Sequence, residues 1–298
     1  MSGVGMSPVV FDRMLLRARQ RRARSLGAET FLIDRVAADL AERLGAVLRQ
    51  FDVAVDLGTP TDAVREALAD NASIGALIAA KAFPHGARSV AADEELLPFR
   101  DGALDLVVSA LALQFVNDLP GALIQIRRAL KADGLLLAAM LGGDTLTELR
   151  QAFAAAEAEI EGGASPHVAP FTDVREMGAL LQRAGFALPV TDVERLTVRY
   201  SSPFILMGEL RRMGATNALT ERRRKPLRRA TLARMAEIYA QRFADRDGRI
   251  RATFEVIWLS GWAPHESQQK PLRPGSAQAR LADALGTREI GTGEKAGG

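Results

Sequence analysis

At 298 residues, 48% of them hydrophobic and with a formal net charge of +3, the chain is long enough for one embellished α/β domain and apolar enough for a large core. It has no cysteine, which excludes disulfides, thiolate metal sites and cysteine nucleophiles. No apolar run approaches the roughly 20 residues of a membrane-spanning helix, since 104–115 and 134–141 are both short and interrupted.

In chain order, residues 1–50 read as helices packed on the domain that follows. Arg13, Arg17, Arg19, Arg21, Arg22 and Arg24 form a basic block interleaved with Phe11, Met14, Leu15 and Ala18 at helical spacing. Such a block resembles a transit peptide in composition, but Asp12 interrupts it and the amphipathic register fits a docking helix, so it reads as mature protein. A second helix is predicted over 28–48, with Phe31, Leu32, Val36, Leu40, Leu44 and Val47 on one face. A second basic block, Arg222 to Lys225 with Arg228 and Arg229, has no aromatic residues among its charges, which argues against nucleic acid. Solvated helix faces, a protein partner and peripheral contact with an anionic membrane remain open for both blocks.

From residue 51 strands and helices alternate. Strands are predicted at 51–57, 73–79, 88–92, 105–109 and 134–141, with helices at 62–68 and 120–130 and a turn at Lys131-Ala-Asp-Gly134. Helices follow at 145–160 and 173–184, then a strand at 189–200, helices at 204–213 and 226–243, and a last strand at 250–262. Repeated strand–helix units imply right-handed crossovers and a doubly wound α/β fold, here a mostly parallel seven-stranded sheet over 51–270 with a helical insertion at about 204–244. The glycine-rich 271–298 is expected to be a disordered tail.

In such sheets ligands sit at the carboxyl ends of the strands, near the reversal of strand order. The polar residues gather there: Asp56 and Gly58 after the first strand, Asp93 and Glu94 after the third, Ser109 to Gln114 after the fourth, and Gly142, Gly143 and Asp144 after the fifth. This is the layout of an S-adenosylmethionine-dependent methyltransferase: the first loop holds the methionine end, an acid closing the second strand bonds the ribose, and an acid after the third meets the adenine. Asp56, Gly58, Asp93, Glu94 and Ser109 are the cofactor candidates. Asp93 could equally cap the turn before Leu96, and Ser109 could simply end its strand.

The segments GGDTLTELR (142–150) and SPHVAPF (165–171), within a likeness running from Phe11-Asp12-Arg13 to about Ala277, resemble the family of mitochondrial respiratory complex I assembly factor 5 and its bacterial relatives. More distantly the chain is similar to the malonyl-carrier-protein methyltransferase of biotin synthesis. The resemblance implies the class I methyltransferase fold, a protein partner in complex I assembly, and hydroxylation of an arginine in an iron–sulfur subunit. It also implies a histidine where this chain has Gln114, which joins Asp144 and His167 as a catalytic candidate. Asp144 could instead cap the helix at Thr145, and His167 could contact a ligand or bond within its loop. The short lead before Phe11 favours a bacterial cytoplasmic protein, placed near the inner membrane by such a role.

The chain departs from the family pattern Asp-Leu-Gly-x-Gly-x-Gly at Pro60 and Asp62. Proline fixes φ and removes a donor, and a fixed carboxylate repels the methionine carboxylate. Thr59-Pro60-Thr61-Asp62 reads instead as a capped helix start, with Thr59 as N-cap and Asp62 as its reciprocal partner. The ribose acid is replaced by Ala80. Binding of S-adenosylmethionine is therefore expected to be weak or lost. Active methyl transfer to a small or carrier-bound substrate and a non-catalytic binding module are the alternatives. His85, His167 and His265 are not expected to form a metal site.

Overall fold

In the computed structural model, which describes residues 9–269 and Gly286, apolar periodicity translates into helices on both faces of a single sheet. The helices are α1 (Arg13–Ser25), α2 (Phe31–Gly45), α3 (Ala63–Ala67), α4 (Leu119–Ala129), α5 (Thr147–Glu161), α6 (Val174–Arg183), α7 (Pro203–Arg212) and α8 (Arg229–Phe243). The strands are β1 (Phe51–Leu57), β2 (Ile74–Lys81), β3 (Ser89–Ala91), β4 (Leu104–Ala110), β5 (Leu130–Leu141), β6 (Ala187–Tyr200) and β7 (Ile250–Trp262). Their order is β3-β2-β1-β4-β5-β7-β6. Strands β1 to β5 pair in parallel, and β7 runs antiparallel to both β5 and β6. This is the expected doubly wound, mostly parallel seven-stranded sheet of the class I methyltransferase type. The order reverses between β1 and β4, so the ligand crevice lies at their carboxyl ends.

Side chains alternate across the sheet with period two. Ala54, Leu106 and Val108 pack with α2, α5 and α8 on one face, while Val55, Leu57 and Val107 pack with α4 and α6 on the other. In α2 the spacing of Leu32, Val36, Leu40 and Leu44 buries one continuous stripe. Helices α7 and α8 lie between β6 and β7, where the insertion was predicted.

Three local expectations are corrected. The turn predicted at 131–134 lies inside β5, which starts at Leu130; Asp133 takes φ 63° and the register against β4 shifts there, so the turn residues make a bulge. The helix predicted at 62–68 is shorter, α3 spanning only five residues. Most important for the site, β2 continues two residues beyond its predicted end, to Lys81.

The described residues up to Pro264 belong to one compact unit. In the second unit, which starts at His265, that residue's Nδ1 lies 2.7 Å from Ser267 Oγ. Apart from Gly286, the tail expected at 271–298 lies outside the described residues. Among the described residues no helix is long and apolar enough to cross a membrane.

Candidate functional site

At the carboxyl end of β1 the chain turns at Gly58, whose φ of +74° suits glycine. A Cβ there would stand 2.6 Å from Glu94 Oε1 and 3.0 Å from Ala112 Cβ, so a carboxylate lies directly against the backbone. Asp56 is fully buried, and among the described residues neither carboxylate oxygen accepts a hydrogen bond. Burial pushes its carboxyl up to about 6, against the pull of the Lys81 ammonium 3.5 Å away.

Lys81, 2% exposed, ends β2 with Nζ donating to Thr61 O at 2.5 Å and to Asp62 Oδ1 at 3.0 Å. Asp62 Oδ2 also meets His85 Nε2 at 2.6 Å. Burial opposes the charged form of Asp62, but the bonds from His85 and Lys81 prevail and hold its carboxyl below its ordinary value. The predicted cap is therefore not formed. Thr59 is buried and accepts the Ala110 amide at 3.1 Å, the cap position is Asp62, and its carboxylate makes no capping bond because it is spent on Lys81 and His85. The position expected for the ribose acid was taken as Ala80, but the residue that ends β2 is the next one, the cation Lys81. A lysine closing the apolar run GALIAAK was the available signal, and the predicted strand stopped short of it.

Helix α1 lies across the acids after β3. Arg13 Nη2 meets Asp93 Oδ1 at 2.7 Å and bonds Glu94 Oε2, while Nη1 reaches Phe115 O at 3.3 Å. Arg17 Nη2 meets Asp93 Oδ2 at 2.8 Å and Glu94 Oε2 at 3.4 Å. Burial opposes the charge on Asp93, yet the Glu95 amide and the two guanidinium groups outweigh it and keep its carboxyl low. Asp93 also closes the turn before Leu96, as one reading anticipated. The space left beside Gly58, bounded by Arg13, Arg17 and Glu94, is about 10 Å³, room for about one water. The α1 arginines were seen as a surface block, and nothing in the sequence indicated that they would reach residues 80 positions away.

Ser109 is fully buried and donates to Leu57 O at 2.8 Å, which ties β4 to β1. Asp144 does not cap α5. The helix begins at Thr147 behind Leu146, and the Asp144 carboxylate pairs with Arg195 Nη2 at 2.5 Å.

Gln114 and His167 come together on the wall of a cavity of about 260 Å³ beneath α2, α5 and α7. Leu111 and Leu146, also on that wall, take φ of 51° and 54°, which is costly for leucine, and their amides are held by Ala139 O and Thr253 O. The His167 ring stacks on Phe153 at 4.0 Å, and its Nε2 lies 2.9 Å from Glu157 Oε1. Glu157, 1% exposed, also accepts the Ser165 amide at 2.5 Å and the Ser165 hydroxyl. It thus fixes the loop that carries His167, a role the sequence did not reveal. Glu157→Leu is expected to cost about 2–3 kcal/mol by orphaning these donors and to make 162–171 the first site of proteolytic cleavage. Unchanged stability with an uncut loop would refute this anchoring. Among the described residues no group of three histidine or carboxylate side chains converges to hold a metal ion.

A methyltransferase domain family matches residues 38–138. The protein named arginine-hydroxylase NDUFAF5, mitochondrial, of Danio rerio is 38% identical over 286 residues, covering 92% of this chain and 89% of the relative. The Homo sapiens protein of the same name is 40% identical over 287 residues, covering 92% and 83%. Malonyl-[acyl-carrier protein] O-methyltransferase of Gallionella capsiferriformans is 34% identical over 279 residues, covering 87% and 93%. The crystal structure of the YcgJ protein from Bacillus subtilis matches with a TM-score of 0.50 at 15% identity, over 76% of this chain and 98% of that one, a likeness of fold alone. The expectation of a bacterial cytoplasmic protein is corrected by these relatives, whose names place them in the mitochondrion, and the point at which the sequence starts carries no weight against them. With 37–40% identity to these vertebrate proteins over more than nine-tenths of its length, the chain belongs to the NDUFAF5 arginine-hydroxylase family, built on a class I methyltransferase domain.

Proposed function

We propose that this protein acts on a protein partner during respiratory complex I assembly, hydroxylating an arginine of an iron–sulfur subunit, and that its cofactor cleft in the present arrangement rejects S-adenosylmethionine. One observation carries the reading: the rim beside Gly58 already grips guanidinium groups, those of Arg13 and Arg17, on Asp93 and Glu94. Paired carboxylates at hydrogen-bond distance are what a guanidinium requires. The same arrangement is unsuited to the methyl donor. Its sulfonium would face two cations, its ribose would meet Lys81 rather than an acid, and little volume remains beside Gly58.

Hydroxylation inserts one oxygen atom into a C–H bond of the arginine, a two-electron oxidation that needs an external oxygen donor: a peroxide, which leaves as water, or dioxygen with a two-electron reductant, whose second oxygen atom leaves as water. The chain's own part is to bind and orient the arginine at Asp93 and Glu94, in place of the Arg13 and Arg17 guanidinium groups that they now hold. The reading is supported by the relatives named arginine-hydroxylase, which match over most of the chain. Mass spectrometry of the iron–sulfur subunit, isolated with and without this protein, is expected to show one added oxygen on an arginine peptide only when the protein is present. A gain of one methylene instead would establish methyl transfer, and no difference would remove the hydroxylase reading.

A further inference from the structure

The wall of the cavity of about 260 Å³ carries two polar atoms without hydrogen-bond partners among the described residues. Gln114 is 6% exposed; its Nε2 donates to Leu111 O at 2.8 Å, which fixes the amide orientation, and its Oε1 is buried without a donor. Thr216 Oγ1, on a residue of the same wall, is likewise buried and unpaired. Buried polar groups left unsatisfied are rare and costly, and two in one apolar cavity mark a place built to receive complementary groups. Much of the rest of the wall is aliphatic and aromatic, with Leu32, Leu149, Phe153, Val168 and Met207 among its residues, and its one arginine, Arg211, is exposed. Its one carboxylate, Glu29, is already paired with Arg212 Nη2 at 2.5 Å. A cationic ligand would be buried there with no uncommitted carboxylate among the lining residues, which excludes an arginine side chain as occupant.

We infer that this cavity is a binding site for a small neutral apolar molecule bearing a hydroxyl or N–H donor, which donates to Gln114 Oε1. Its size follows from comparison with the 150 Å³ cavity that holds benzene: the present one accommodates about ten to twelve non-hydrogen atoms. The site adjoins the space at the acidic rim, with which it shares Gln20 and Phe115, but includes neither Asp93 nor Glu94, and it stands whether or not the protein's substrate is an arginine. Leu111 and Leu146, held in positive-φ backbone, shape its wall.

Calorimetric titration of the full chain with 1-naphthol and with 1-methylnaphthalene, which has the same size but no donor, tests this. One 1-naphthol per chain is expected, with 1-methylnaphthalene about tenfold weaker. The gap should collapse in the Gln114→Leu, Thr216→Val double variant, while Leu149→Trp, which fills the space, should abolish binding of both. If Leu149→Trp does not fold by circular dichroism, Met207→Trp takes its place. No saturable binding of 1-naphthol, or a tenfold gap that persists in the double variant, overturns the assignment.

Discussion

Lys81→Met is expected to destabilise the protein by about 3–5 kcal/mol, because it removes one member of a buried ionic cluster and leaves the others without compensation. The wild-type ammonium is 2% exposed and is the one cation within ion-pairing distance of the fully buried Asp56 among the described residues. It also satisfies Thr61 O and Asp62 Oδ1, so its loss loosens the loop that follows Gly58. The pH dependence gives a sharper signature. Burial already raises the folded Asp56 carboxyl to about 6, above its ordinary 3.8. For an acid raised in this way, stability is fully present below the unfolded value and is lost as pH rises through the folded value, by about 3 kcal/mol for about two units.

Without the pull of Lys81 the Asp56 carboxyl rises further, so the variant's loss should extend to higher pH and its deficit against wild type should shrink between pH 8 and 5. Asp62 shifts the opposite way, and its contribution is lost only under more acid conditions. Adding Asp56→Asn to Lys81→Met should restore most of the lost stability at neutral pH, since the uncompensated charge is then gone. Urea denaturation of both variants at pH 5 and pH 8 provides the test. A single variant within 1 kcal/mol of wild type, or a double variant no better than the single, would show that the cluster is not a coupled unit.

Elements with long apolar periodicity were legible in the sequence. The stripe Leu32, Val36, Leu40, Leu44 and the runs at β1, β4 and β7 place themselves, because burial on one or both faces leaves little choice of register. Boundaries set by polar pairing were not. The end of β2 depends on whether Lys81 is buried, and that depends on Asp56 and Asp62, which come from another strand and a loop. Likewise Thr59-Pro60-Thr61-Asp62 satisfies every local rule for a capped helix, yet a tertiary donor, the Ala110 amide, takes the Thr59 hydroxyl. The candidate residues Gly58, Asp93 and Glu94 follow strand ends, whereas Gln114 and His167 were singled out as catalytic candidates by the family resemblance and the loop that carries it. Their partners Arg13, Arg17 and Glu157 were not, because helix packing rather than sequence spacing brings them within reach.

Arg13→Ala with Arg17→Ala is expected to strengthen S-adenosylmethionine binding at least tenfold. Two cations within 4 Å of Asp93 and Glu94 disfavour a sulfonium in the same cleft; at an effective dielectric of about 20, each like charge at 4 Å costs about 4 kcal/mol before relaxation. The double variant should keep α1 docked, since the Val10 and Phe11 amides still donate to Asn117 Oδ1 at 2.9 and 2.7 Å and the Phe11 ring still meets Phe115 edge-on. S-adenosylhomocysteine, which lacks the sulfonium charge, isolates the electrostatic part of the effect. Wild type should prefer it to S-adenosylmethionine, and the preference should disappear in the double variant. Shape alone would leave the preference unchanged, because the two ligands differ by one methyl group. Calorimetry that finds micromolar S-adenosylmethionine affinity in the wild type, with no gain in the double variant, would mean that α1 yields the cleft to the cofactor and that the arginine pair does not guard it.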